Sequence, residues 1–214
     1  MPWVFDTLER ILFSQIPSGQ RITWVPEVSL GELGSIDYVA TLHQVGTRSV
    51  DDYVCVEFQA AGTTGTPYEA VVEFKRDGRF SRDRYNYGIN WANEFQKTMM
   101  QQAYKKGRVF EAWGKRIVFV VQDLAMLFLR SVSDTSGMHT EQRSDLILFY
   151  TLRMVWNQQK ASWEFELSEM LGTNTDGIRR MLGGPVEGDY LTERDFRENI
   201  SRKMERLGSI STSE

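Results

Sequence analysis

Between Ile36 and Ala60 the chain carries two runs that leave few options other than paired strands. Ile36 to Gln44 (IDYVATLHQ) and Tyr53 to Ala60 (YVCVEFQA) are rich in β-branched and aromatic residues, and Gly46, Arg48, Ser49, Asp51 and Asp52 between them supply turn chemistry. The pattern predicts a β-hairpin. Side chains alternate faces along a strand, so Tyr53, Cys55, Glu57 and Gln59 share one face while Val54, Val56 and Phe58 take the other. With a connection symmetric about Arg48, Asp37 falls opposite Gln59 and diagonal to Glu57, about 5 to 8 Å away at Cβ. Two carboxylates and an amide then converge. Mg²⁺ takes oxygen ligands of this kind, one or two carboxylates with waters and substrate oxygens completing its octahedron. A solvated acidic pair on an amphipathic hairpin has the same spacing.

In these residues the chain resembles the active-site hairpin of the PD-(D/E)XK nuclease superfamily, with Asp37 as the strand-start aspartate and Glu57-Phe58-Gln59 as the (D/E)XK element. Glutamine stands where lysine is usual. Within that superfamily the chain is similar to the NotI-type restriction endonucleases, which share the ExQ variant, here followed by Thr63-Thr64-Gly65 and later by Ile89-Asn90-Trp91. The shared segments run from about Ile36 to Asp123. Two departures stand out: Ile36 replaces the proline before the aspartate, and the cysteine-rich metal-binding part of the namesake enzyme has no counterpart in a chain with one cysteine.

The resemblance implies an α/β fold with a restriction-endonuclease-like core, a mixed central β-sheet flanked by helices. It implies a Mg²⁺-dependent endonuclease that hydrolyses double-stranded DNA at a specific sequence, in the manner of a type II restriction enzyme. Asp37, Glu57 and Gln59 would be the catalytic set, and Asp37, Glu57 and the backbone carbonyl of Phe58 would hold the metal. Gln59, neutral, is neither base nor cation and would orient the attacking water. Cleavage of both strands at a symmetric site is most simply done by a homodimer.

A second register competes. Glu73-Phe74-Lys75 in the run YEAVVEFK (Tyr68 to Lys75) is itself an ExK, and Asp51 or Asp52 precedes it at about the distance from Asp37 to Glu57. That run reads as another strand, and Asp51 or Asp52, Glu73 and Lys75 then form a rival set. The turn-like setting of Asp51 and Asp52 and the Thr-Thr-Gly after Gln59 favour the first register.

Residues that would meet DNA lie between the motif and the next strand. Thr63 and Thr64, in a Gly/Pro loop, would reach the backbone through hydroxyls and amides. Arg76, Arg79, Arg82 and Arg84 make RDGRFSRDR the most basic short stretch, suited to phosphates or guanine edges. Tyr87 to Lys106 reads as a helix with Ile89, Ala92, Phe95, Met99 and Ala103 near one face, Gly107 at its end, and Asn90 and Lys97 on the polar side. Glu27 and Glu32, just ahead of the hairpin, are candidates for an extra metal ligand.

Around this centre, Phe5 to Ile16 has helical periodicity, Arg21 to Val28 reads as a first strand, and Arg116 to Val121 (RIVFVV) as a strand covered on both faces. Ala125 to Val132 and Asp145 to Trp156 read as helical or buried segments, and Trp163 to Leu167 as a short edge strand. The expected organisation is a single nuclease domain over residues 1–207, with its core at about 20–125, a helical C-terminal elaboration at about 125–207 that includes an amphipathic stretch at Leu191 to Leu207, and a disordered tail at 208–214.

Composition narrows the class. One cysteine permits neither an intrachain disulfide nor a cysteine-based zinc site. No apolar run approaches the roughly 18 residues needed to span a bilayer, and MPWVFDTLER lacks a basic leader, so a cytoplasmic protein with no membrane association is expected. A net charge of −4 argues against nonspecific coating of nucleic acid but not against a locally basic cleft. The chain lacks a phosphate-binding P-loop, a dinucleotide fingerprint and a nucleophile elbow, so no nucleotide cofactor is expected. The alternatives are a noncatalytic nucleic-acid-binding or structural protein with a nuclease fold, and a structure-selective repair or recombination nuclease.

Overall fold

The computed structural model describes residues 2–13, 15–47, 49–60, 62, 64–79, 81–85 and 88–183. The amphipathic stretch at Leu191 to Leu207 and the tail lie outside them.

Three antiparallel strands come first: β1 (Gln20–Ser29), β2 (Ser35–Gln44) and β3 (Asp52–Gln59). β3 then pairs in parallel with β4 (Arg116–Gln122), and β4 in parallel with β6 (Ile147–Asn157). β7 (Ser162–Thr173) returns antiparallel to β6, and the two-residue β5 (His139–Thr140) pairs with β7. The result is one mixed seven-stranded sheet of order β1-β2-β3-β4-β6-β7-β5. This is the α/β architecture expected of a restriction-endonuclease-like core.

Helices cover both faces. Val54, Val56, Val118, Val120, Leu148 and Tyr150 pack on one face against Val4 and Leu8 of α1 (Pro2–Leu12). Cys55, Ile117, Phe119, Val121, Ile147 and Phe149 point the other way, into a larger core. That core is closed by a π-helical segment (Ala92–Met99) running into α3 (Met100–Trp113), by α4 (Asp123–Val132) and by α5 (Thr175–Leu182). The parallel strands are thus buried on both sides, which is why RIVFVV and ILFY are continuous apolar runs.

The structure departs from three expectations, each for a local reason. Tyr68 to Lys75 is not a strand but part of α2 (Tyr68–Asp77), capped by Gly78 in the left-handed conformation with its N–H on the Phe74 carbonyl. Both edges of β3 are already occupied, by β2 and β4, so the β-branched content of YEAVVEFK has no sheet edge beside β3 to join. The helix expected over Tyr87 to Lys106 does not include Gly88 to Asn90 and does not end at Gly107; it runs on to Trp113 and stops at Gly114 (φ 62°), while Tyr87 lies outside the described residues. Gly107 lies within the helix, where a Cβ would stand 2.5 Å from Ile147 Cδ1, so its lack of a side chain lets α3 approach β6 closely. Finally, Asp145 to Trp156, expected as a helical or buried segment, is buried at Ile147 to Thr151 but as strand β6, and Trp163 to Leu167, expected as a short edge strand, lies within the longer β7; the antiparallel pair extends the central sheet.

Candidate active site

The β2–β3 register is shifted by two residues from symmetry about Arg48. Tyr38 pairs with Val56 and Thr41 with Tyr53, so Asp37 stands beside Glu57 and Phe58 instead of opposite Gln59. The Phe58 N–H donates to Asp37 Oδ2 at 2.8 Å. Asp37, Glu57 and Gln59 are brought together as expected, on the side of the sheet that faces α3.

From α3 comes a group that sequence reasoning missed. Lys106 Nζ donates to Glu57 Oε1 at 2.6 Å and to the Ser35 carbonyl at 2.8 Å. The pair is enclosed, Lys106 being 6% and Glu57 3% exposed. One turn earlier on the same helix face, Gln102 Oε1 accepts from Gln59 Nε2 at 3.2 Å. The signal for Lys106 was in the helix rhythm: Met99, Ala103, Lys106 and Phe110 recur at spacings of four, three and four, which puts a lysine in the buried stripe. A lysine in such a stripe needs an acidic or carbonyl partner.

These residues wall a cleft of about 350 Å³ that includes Ser35, Asp37, Glu57, Gln59, Gln102 and Lys106. A second hollow of about 500 Å³ opens on the α1 side, and Asp37 and Phe58 line both. Glu27 lines this second hollow with Asp37. Pro26 pairs with Tyr38 and Val28 with Ile36 in one unbroken register, which sets Glu27 level with Asp37, and Glu27 takes the left-handed region at φ 52°. A non-glycine residue held in that region is strained, and here it stands beside the candidate carboxylate Asp37. Glu32 lies in the short 3₁₀ turn Gly31–Leu33, and that turn has no buried residue.

Electrostatics in the cleft are set by burial. Desolvation pushes the Glu57 carboxyl up from its ordinary range; the Lys106 hydrogen bond and charge pull it back, and the nearby Asp37 charge adds to the rise. The same burial, with the Glu57 charge, pushes the Cys55 thiol up to about 12. Among the described residues no three His, Cys, Asp or Glu side chains gather closely enough to hold a metal. The donors that are present, two carboxylates and the Phe58 carbonyl, are all oxygen. That set suits a hard cation that keeps several waters.

The rival set does not assemble. Glu73 lies on α2, where it accepts from the Tyr85 hydroxyl and sits 3.7 Å from Arg84, and Asp52 is paired with Lys115 at 2.5 Å. The residues expected to touch DNA are dispersed in their local roles. Thr64 closes its loop, its N–H on the Gly88 carbonyl at 2.7 Å and its hydroxyl accepting from the Gly88 N–H at 2.8 Å. Asn90 accepts from the Asn93 N–H at 3.3 Å at the start of the π-helical segment. Arg76 pairs with Asp77, while Arg79 and Lys97 are exposed. Thr63 and the Arg82 side chain lie outside the described part.

A protein-family model described as restriction endonuclease NotI matches residues 19–167, about 70% of the chain. The match takes in β1 to β6, α2, α3 and the start of β7. It therefore extends well past Asp123, where the motif resemblance ends. A comparison with curated protein sequences gave no match.

Proposed function

Since the chain belongs to the restriction endonuclease NotI family, we propose that it is a type II DNA endonuclease whose reaction depends on Mg²⁺ held at Asp37 and Glu57. The family makes it an endodeoxyribonuclease that binds double-stranded DNA. The observation that carries the finer reading is the placing of two carboxylates side by side in the wall of a polar cleft, with the Phe58 N–H on Asp37.

Asp37, Glu57 and the backbone carbonyl of Phe58 would hold the ion. Bound there, Mg²⁺ supplies Lewis acidity, lowering the pKa of a water and offsetting phosphate charge. Asp37 is held in one orientation by the Phe58 amide, so its second oxygen is presented to the cleft without rotamer loss. Gln59 is steadied by Gln102, and its carbonyl oxygen is an acceptor that can align an incoming water for in-line attack on phosphorus. The proton leaves to solvent or to a substrate phosphate, because neither Gln59 nor Lys106 in its ammonium form accepts one.

DNA would be held by Thr63, Thr64, Arg76, Arg79, Arg82, Arg84, Asn90 and Lys97 along the segment between β3 and α3. The exposed positions among them supply phosphate contacts, which fix register on the duplex. A homodimer would place two clefts on the two strands of a symmetric site. Among the described residues no helix is long and apolar enough to cross a membrane.

The test is cleavage of a long, sequence-diverse DNA with Mg²⁺ and with EDTA, by wild type and by Glu57→Ala. Discrete fragments that require both Mg²⁺ and Glu57 are expected. Cutting set by DNA structure would point to a repair-type nuclease, and DNA binding without cutting to a noncatalytic module.

A further inference from the structure

Lys106 brings into the cleft a positive charge that the hairpin motif does not contain. Its ammonium is satisfied by Glu57 Oε1 at 2.6 Å and the Ser35 carbonyl at 2.8 Å, and the residue is 6% exposed. A buried ammonium persists only where its charge and its N–H groups are matched. Here the matching group is the carboxylate that the functional reading assigns to the metal. The two claims on Glu57 conflict, because an ion drawing on that carboxylate would stand close to the ammonium, and like charges at such range in a partly dry cleft repel strongly. Lysine has the means to yield: its four-carbon stem lets Nζ swing while α3 stays fixed. A phosphodiester entering the cleft offers the displaced ammonium a new anionic partner.

Building on the metal-dependent reading, we propose that Lys106 is a tethered counter-cation, which occupies Glu57 in the ion-free protein, yields it to the divalent cation, and then presents its charge to the scissile phosphate. It supplies from a helix the cation that Gln59 does not supply from the strand. Ion binding without DNA is then weaker than the two carboxylates alone would give, since each ion must displace the ammonium.

The experiment is calorimetric titration of Mg²⁺ into the DNA-free wild type, Lys106→Met and Lys106→Gln, at about pH 8.5 so that the carboxyls are ionised in all three. Lys106→Gln keeps hydrogen-bond donors for Glu57 and Ser35 without the charge, which guards against a methionine variant that does not fold. Circular dichroism checks the fold of each. Both variants are expected to bind Mg²⁺ about tenfold more tightly than wild type, as removal of a nearby like charge requires, and to cleave DNA at least about a hundredfold more slowly. Folded variants whose ion affinity is unchanged or weaker would overturn the proposal and leave Lys106 as a brace for Glu57. Unchanged cleavage would remove its role at the phosphate. Absence of ion binding by all three would also overturn it, and discrete cutting by the wild type in EDTA would then leave the endonuclease reading standing without the metal.

Discussion

The main-chain N–H of Phe58 is fixed on Asp37 Oδ2, so the strand that carries Glu57 also sets the orientation of the other carboxylate. Asp37→Asn retains an oxygen for that N–H and removes the charge. It should fold with nearly wild-type stability and lose cleavage by about a hundredfold or more, as expected when a metal-held charge is removed. Asp37→Ala should in addition lose about 1 kcal/mol for the missing hydrogen bond. Thermal melts and cleavage rates of the two variants side by side separate the roles.

Glu73 belongs to a helix and to a contact with Tyr85 and Arg84, away from the carboxylate pair. Glu73→Ala is therefore expected to cleave the same sites as wild type within a few-fold, whereas Glu57→Ala abolishes cutting. Loss with Glu73→Ala alone would contradict the assembly of the site on β2 and β3.

The contrast between these two acids marks what the sequence could reveal. Alternation in YVCVEFQ is enough to place Glu57 and Gln59 on one face, and RIVFVV is enough for a buried strand, because both patterns are read from neighbours in the chain. The hairpin register differs by two residues from the symmetric expectation, since turn geometry decides it and side-chain pattern does not. YEAVVEFK misleads because local strand preference is overruled by a sheet with no free edge at β3. Lys106 escapes notice for a related reason: its meaning depends on a partner 49 residues away, and a lysine near a helix end is ordinarily solvated.

Gly107 makes a quantitative case for close packing. A Cβ there would meet Ile147 Cδ1 at 2.5 Å, the mobile end of a side chain, so Gly107→Ala should be near neutral, the helix preference for alanine of about 1 kcal/mol offsetting the adjustment of Ile147. Gly107→Val adds bulk that Ile147 cannot escape and should cost about 1 to 3 kcal/mol. Urea melts of both variants read the difference.

Cys55 is 2% exposed, and its thiol is pushed up to about 12, chiefly by burial and then by the Glu57 charge. A raised folded value means that folding favours the protonated thiol. The benefit is complete below the ordinary thiol range near 9 and is lost as pH rises toward 12. Native protein at pH 9 should react with a thiol reagent orders of magnitude more slowly than unfolded protein, followed by absorbance with and without denaturant.

Arg79 and Lys97 are exposed on the segments proposed to face DNA. Replacing either by alanine should weaken DNA binding evenly across sequences and reduce the slope of log affinity against log salt by about 1 for each phosphate no longer neutralised. Fluorescence anisotropy over a range of salt concentrations measures this, and an unchanged slope would move the DNA path elsewhere.

The backbone at Pro26 and Glu27 has a consequence for how molecules of this protein meet in solution. β1 forms one edge of the sheet and would offer its unpaired main-chain groups as a template for a strand from another copy. Pro26 has no N–H to give, and the left-handed conformation of Glu27 interrupts the regular row of donors and acceptors. The irregular backbone beside Asp37 thus also blunts the edge against sheet-to-sheet aggregation.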